Sequence, residues 1–383
     1  MDILTLNIRD RELNPIPFFI APALHDQWQR WLQVYPYRID QIFWIVDATV
    51  NQLHSKILEY YQENTEKTEL VVLFPAGEPY KSRRFRDILE DVLLNARINR
   101  HSLIIIVGGG TLGDLAGFVA ATIHRGIRYV FFPTTLLAQV DSCLGGKVAI
   151  NHPQGKNLLG TFHYPTAVFI RTRFLRTLPW AEWVNGLAEV IKYALLFDVQ
   201  LLTVLKKYYR EIRARDSVWV QRIIRRSLHW KKWVVEHDPD ERWYRASLNF
   251  GHTVGHALER YFNYTISHGA AILIGMAVEL LLSQRLCSCP GYLLKELQTL
   301  LERYPEPSVL QLLNADPNEL WRWMQYDKKS DDEVRCSLLH TIGDPCLYEP
   351  VSQSQFLYAW ESLQNLPLVL DQFDPQSADL SGD

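Results

Sequence analysis

Apolar runs of strand length alternate with amphipathic stretches through the first third of the chain. Residues 41–46 (QIFWIV) are apolar and stop at Asp47, and 50–62 has helical spacing. Residues 69–74 (ELVVLF) close on Pro75-Ala76-Gly77, and 81–98 is amphipathic. Residues 102–107 (SLIIIV) run into Gly108-Gly109-Gly110, 112–124 is helical, and 127–132 ends at Pro133. Continuous apolar strands separated by helices predict a doubly wound, mostly parallel sheet covered on both faces. Beyond Pro179 the period changes. Helical spacing dominates 180–197, 200–213, 218–236, 251–261, 270–287 and 292–303. The pattern predicts an α/β domain over 1–179, a mostly α-helical domain over 180–371 and a frayed acidic tail over 372–383.

Composition narrows the function classes. The chain has 383 residues, enough for two cores, and is 48% hydrophobic and 22% charged, as folded domains are. Its 40 Lys and Arg against 43 Asp and Glu give a net charge of −3, which argues against a nucleic-acid partner but not against a local anion pocket. Five cysteines are an odd number and make no disulfide framework, so a reducing cytoplasm is expected. Cys287 and Cys289 are too closely spaced for a zinc-type pair. Residues 1–10 lack the apolar core of a signal peptide, so none is expected, and no uninterrupted apolar stretch nears the roughly 20 residues of a membrane span. No membrane association is expected.

Three clusters carry candidate chemistry. Residues 108–114 (GGGTLGD) follow a strand and open a helix, where glycines permit close approach of a pyrophosphate and free amides favour an anion. Gly108, Gly109, Gly110, Gly113 and Asp114 are candidates there, and Asp47 ends an earlier strand where a ribose-binding acid commonly sits. A tight ligand-free turn is the bland alternative. Residues 141–157 (DSCLGGKVAINHPQGKN) place Asp141, Lys147, Lys156 and Asn157 in a glycine-punctuated loop suited to phosphate or carboxylate. Arg125 lies one helix earlier.

The third cluster is RASLNFGHTVGH, 245–256. Read as one helix, it aligns Arg245, Asn249, His252 and His256 within roughly 60° of arc. Both histidines could ligate one metal, or one could act on substrate. His268 follows in SHG. Glu189, in the apolar run GLAEVIKY, is expected to be part-buried and to need a cation, whether Lys192 one turn on or a metal. One Glu and two His make a usual catalytic zinc set with an open position.

Together these segments resemble the sugar phosphate cyclases, most closely the dehydroquinate-forming group, from about Asp47 to about Gly343. The blocks, in order, are GEPYKS (77–82), GGGTLGDLAGF (108–118), 125–160 from RGIRYVFFPTT to GKNLLG, LRTLP (175–179), NGLAEVIKY (185–193), RASLNFGHTVGHALE (245–259), SHG (267–269) and DKK (327–329). The resemblance implies an NAD-binding α/β domain, a helical domain and an active site between them. It implies Glu189, His252 and His268 as ligands of a divalent metal, zinc or alternatively cobalt. It adds Glu78, Lys81, Thr134, Thr135 and Thr177 to the NAD site. It assigns Lys147, Asn157, Lys192, Arg245, Asn249 and His256, with Lys328 or Lys329, to a seven-carbon sugar acid phosphate. Arg125 would reach that phosphate from the neighbouring subunit of a homodimer.

The implied reaction is phosphate-eliminating carbocycle formation in the shikimate pathway to aromatic amino acids. Arg245, Asn249 and His256 are all present, whereas cyclases for other sugar phosphates vary there. Such a cyclase, or a metal-dependent alcohol or glycerol dehydrogenase, is the alternative. One departure stands out: Ala270 replaces the Glu that usually follows His-Gly, which removes a hydrogen bond expected to support the metal site.

Overall fold

The structure, a computed structural model, describes residues 3–7, 15–239, 243–306, 308–326 and 333–366. The expected tail and Lys328 and Lys329 lie outside them. The chain divides into two compact units, Met1–Leu178 and Pro179–Asp383.

The first unit is built on β1 (Ile3–Leu6), β2 (Ile16–Ala21), α1 (His25–Val34), β3 (Ile42–Asp47), α2 (Ala48–Glu63), β4 (Thr68–Phe74), α3 (Arg83–Asn95), β5 (Leu103–Gly108), α4 (Gly110–Thr122) and β6 (Arg128–Pro133). It ends with β7 (Lys147–His152), β8 (Gly155–Phe162) and β9 (Ala167–Arg171). Seven strands form a sheet in the order β1-β2-β9-β6-β5-β3-β4. All pairs are parallel except β1–β2. Every residue of β3 and β5 is buried, as strands covered on both faces must be.

The tryptophans, unassigned by any motif, account for much of this core. Trp28, Trp31 and Trp44 pack with Phe132 and Phe169, and the Trp28 indole N–H donates to Thr65 Oγ1 at 2.9 Å. Trp28 is thereby buried with its one polar atom satisfied.

The 141–157 stretch is not the expected loop. Residues 138–142 make one wide turn in which the Cys143 N–H reaches Ala138 O, and β7 and β8 form an antiparallel hairpin. Val148, Ala149 and Ile150 are all buried in β7, while Lys147 is exposed, and the flanking glycines made this short apolar run read as loop.

The second unit comprises α5 (Trp180–Phe197), α6 (Val199–Lys207), α7 (Tyr209–Arg213), α8 (Ser217–His237), α9 (His252–Tyr261), α10 (His268–Leu286), α11 (Tyr292–Arg303), α12 (Ser308–Leu312) and α13 (Pro317–Tyr326). It closes with the hairpin β10 (Val334–Thr341) and β11 (Asp344–Val351), and α14 (Gln353–Gln364). α10 is central, touching α5, α9, α11, α12, α14 and β10. It is long and apolar enough to cross a membrane by length and composition, and 78% of its apolar window is buried. Ser283 Oγ, on α10, accepts the Leu339 N–H from β10 at 3.1 Å.

The 245–256 stretch is also corrected. Residues 244–249 form a short 3-10 turn, and Gly251 takes a left-handed φ of 80° before α9 begins. The four polar residues therefore do not share one helix face. Gly251 is required twice over: by its φ, and by close packing against α10. A Cβ on Gly275 of α10 would fall 1.9 Å from Gly251 O.

Candidate metal centre and cofactor turn

Three elements of the second unit bring Glu189, His252 and His268 together. Glu189 sits in mid-α5 and is 1% exposed, His252 begins α9, and His268 begins α10. Glu189 Oε1 lies 3.3 Å from His252 Nε2 and 3.5 Å from His268 Nε2. One donor atom from each residue falls within 4.8 Å of the others. A cation about 2.0–2.1 Å from each nitrogen and oxygen spans tetrahedral edges of roughly 3.3 Å, so this donor set fits such an ion.

The far ring nitrogens are occupied. His252 Nδ1 faces Phe250 O at 3.1 Å, and His268 Nδ1 lies 3.5 Å from Glu259 Oε1. Holding Nδ1 leaves Nε2 as the inward donor. Glu259 is a residue the sequence reading missed, although its spacing of three from His256 and seven from His252 on α9 was legible. Ala270 is buried with its N–H bonded to Ser267 Oγ, and the carboxylate beside His268 Nδ1 comes from α9. Asn185, one turn before Glu189, accepts from Ser267 Oγ at 2.8 Å and Gly269 N–H at 2.7 Å, which fixes the start of α10. Glu279, fully buried on α10, accepts the Gly251 N–H at 2.6 Å.

Charge in the cluster is uneven. Burial favours a neutral Glu189, but the adjoining Lys192 ammonium and the two rings hold its carboxyl well below the usual range. Burial, reinforced by Lys192, lowers His252 to about 4. Burial opposes the charged form of His268, yet Glu189 and Glu259 raise it to about 9. Lys192 is 3% exposed and rests over the Tyr193 ring. His256 is exposed, its ring 5.3 Å from that of His252. Arg245 is buried and donates to Pro239 O at 3.2 Å, while Asn249 is exposed on the 3-10 turn.

In the first unit the glycine turn connects β5 to α4, with Gly108 ending the strand and Gly109 at the helix N-cap, where no side chain caps the first-turn amides. A Cβ on Gly110 would come 2.9 Å from Ser142 Oγ, so a side chain there would require the Ser142 hydroxyl to shift. Gly110, Gly113, Asp114, Ser142 and Lys147 line one recess. Lys81, 4% exposed, bridges Asp114 Oδ2 and Asn157 Oδ1 at 2.5 Å each. Glu78 accepts from Thr111 Oγ1 at 3.2 Å and Asn151 Nδ2 at 2.7 Å. These contacts tie the 77–82 block to α4 and the hairpin.

Asp47 caps α2 through Oδ1, accepting from the Thr49 and Val50 amides. Thr134 N–H bonds Gly108 O, Thr135 Oγ1 accepts the Ala138 N–H, and Thr177 Oγ1 pairs with His54 Nε2 at 2.8 Å. His54 went unremarked in the sequence; a contact across 123 residues leaves no local signal. Asp141 lies in the wide turn, and Lys156 in β8. Arg125 stands exposed at a left-handed φ of 66°.

Two family models match the chain in succession. The family model for the 3-dehydroquinate synthase N-terminal region matches residues 71–185, and that for its C-terminal region matches 186–330. The chain belongs to the 3-dehydroquinate synthase family. The 3-dehydroquinate synthase of Bacillus cytotoxicus is 42% identical over 80% of this chain and 82% of its own. Among solved structures, a 2-deoxy-scyllo-inosose synthase complexed with carbaglucose-6-phosphate, NAD+ and Co2+ superposes with a TM-score of 0.81 at 25% identity, covering 94% of this chain and 99% of its own. The 2-epi-5-epi-valiolone synthase of Streptomyces hygroscopicus, with NAD+ and Zn2+ bound, gives 0.82 at 24% identity, covering 93% and 99%. At that identity the second likeness speaks to the fold alone.

Proposed function

We propose that this enzyme converts 3-deoxy-D-arabino-heptulosonate 7-phosphate to 3-dehydroquinate with release of phosphate, as an NAD- and metal-dependent lyase of the shikimate pathway, acting in the cytoplasm as a homodimer. Identity of 42% to a relative of that name supports the activity. The observation that carries the chemistry is the buried Glu189 facing two imidazoles whose far nitrogens are already held.

Glu189, His252 and His268 would hold the divalent cation, zinc by donor type, and the Gly108–Asp114 turn with Asp47, Glu78, Lys81, Thr134, Thr135, Asp141, Lys156 and Thr177 would hold NAD. Such a cation would supply Lewis-acid polarisation of a secondary alcohol, and NAD would supply a reversible hydride sink that makes the C–H beside the oxidised carbon acidic. The chain's own groups do the rest. Lys192 brings a buried positive charge to the Glu189 side of the site, where it attracts the anionic substrate and stabilises developing oxyanion charge. Lys147, Asn157, Arg245, Asn249 and Lys328 or Lys329 orient the carboxylate and hydroxyls. Arg125 reaches the phosphate of the other subunit, a role its exposure permits. His256, exposed beside His252, relays protons to and from hydroxyl groups.

The test is phosphate release from the seven-carbon substrate with substoichiometric NAD. Many turnovers per NAD, loss on chelation and recovery with zinc are expected. Stoichiometric NADH without phosphate would replace this reading with a dehydrogenase. Glu189→Ala should lose bound metal yet keep NAD affinity, read by metal analysis and calorimetry.

A further inference from the structure

A second group of metal-type donors lies at the other end of α10, away from the residues placed above. Cys287 directly follows α10; Cys346 and Glu349 lie on β11. One donor atom from each falls within 4.8 Å of the others. Cys346 Sγ is 3.5 Å from Glu349 Oε2. A tetrahedral ion about 2.3 Å from sulfur and about 2.0 Å from oxygen spans an S···O edge of roughly 3.5 Å.

The environment favours a cation. Cys287 is 5% exposed, Cys346 and Glu349 are half-buried, and among the described residues no Lys, Arg or His pairs with Glu349. Two thiols and a carboxylate thus meet, and the carboxylate has no ion-pair partner among the described residues. Burial pushes both thiols up, Cys287 the more strongly, so without a cation they stay protonated. The frame is also fixed. His340 Nδ1 pairs with the Cys287 carbonyl at 2.8 Å, and the Cys287 N–H closes on Ser283 O.

We propose that Cys287, Cys346 and Glu349 form a second, structural site for a thiophilic divalent cation of the zinc class. Binding releases two protons, one from each Sγ–H, and forms two metal–sulfur bonds and one metal–oxygen bond, with water completing the tetrahedron. The site clamps the C-terminal end of α10, whose first residue is His268, to the β10–β11 hairpin. Neither cysteine takes part in the reaction proposed above.

Cobalt distinguishes the two sites, because Glu189, His252 and His268 offer no sulfur. The full chain, kept reduced and anaerobic, is titrated with Co2+. Two equivalents per chain and a thiolate-to-cobalt charge-transfer band in the near ultraviolet are expected, the band being displaced by one equivalent of Zn2+. C346S should remove the band and one equivalent and retain phosphate release. The milder Glu349→Gln should keep the thiols but weaken the second cobalt by at least tenfold. A wild-type chain with no charge-transfer band overturns the proposal, as does a band that survives C346S. Conversion of Cys287 and Cys346 to a disulfide, without metal uptake by the reduced pair, overturns it too. Loss of the primary cobalt with the second retained would count against the Glu189 site alone, so the two readings fail separately.

Discussion

Glu259 is the residue on which the metal centre's support turns. It is 3% exposed and stands behind His268. Glu259→Gln keeps the shape and removes the charge. We expect zinc affinity to fall by about 10–100-fold, measured by competition with a chromophoric chelator, with the circular dichroism unchanged. The charge pattern also sets a pH dependence. His268, raised to about 9, must lose its proton before it can ligate. Apparent metal affinity should therefore climb by about tenfold per pH unit toward 9 and flatten above it. His252, lowered to about 4, is neutral throughout that range and adds no slope. In the metal-free protein the sign reverses. Stabilisation by protonated His268 is full below its ordinary pKa of 6.5 and is lost as pH rises through about 9. A metal-free protein whose Tm is flat over that interval would contradict this assignment of charge.

At the scale of elements, α9 and α10 hold two of the three donors and approach through glycine. Gly275→Ala would drive its Cβ into Gly251 O, so the helices must part. A loss of roughly 1–3 kcal/mol is expected in denaturant unfolding, with weaker metal binding as His252 and His268 separate. Most helices were legible because their apolar period runs uninterrupted, as in α5 and α11. The hairpins were not. In β7–β8 the flanking glycines read as loop, and β10–β11 buries only part of its face, so its alternation was faint. The short turn before α9 was misread as helix for a similar reason: Gly251 looks like any helical glycine until its φ is known. Donor residues were visible as types and spacings. The pairing of Glu259 with His268 or of Asn185 with Gly269 depends on helix packing, which no local pattern records.

For the molecule as a whole, the change of period near Pro179 coincides with the division of the chain at Leu178. The chemistry-bearing side chains follow that division: the glycine turn and its lysines lie before it, and the metal donors after it. Within the second unit most elements pack against α10, and the last helix among the described residues, α14, packs against it and buries Phe356, Ala359, Trp360 and Leu363. A chain ending at Val351 would leave that apolar side of α10 open. We expect it to aggregate on expression and to bind a hydrophobic dye, while the full chain does neither. On the ribosome every copy passes through the same condition. At about 5–20 residues per second, α10 waits on the order of several seconds for its cover to emerge. Yield of this protein in a cell should therefore depend on holdase chaperones that mask a nascent apolar helix, independently of anything in its active centre.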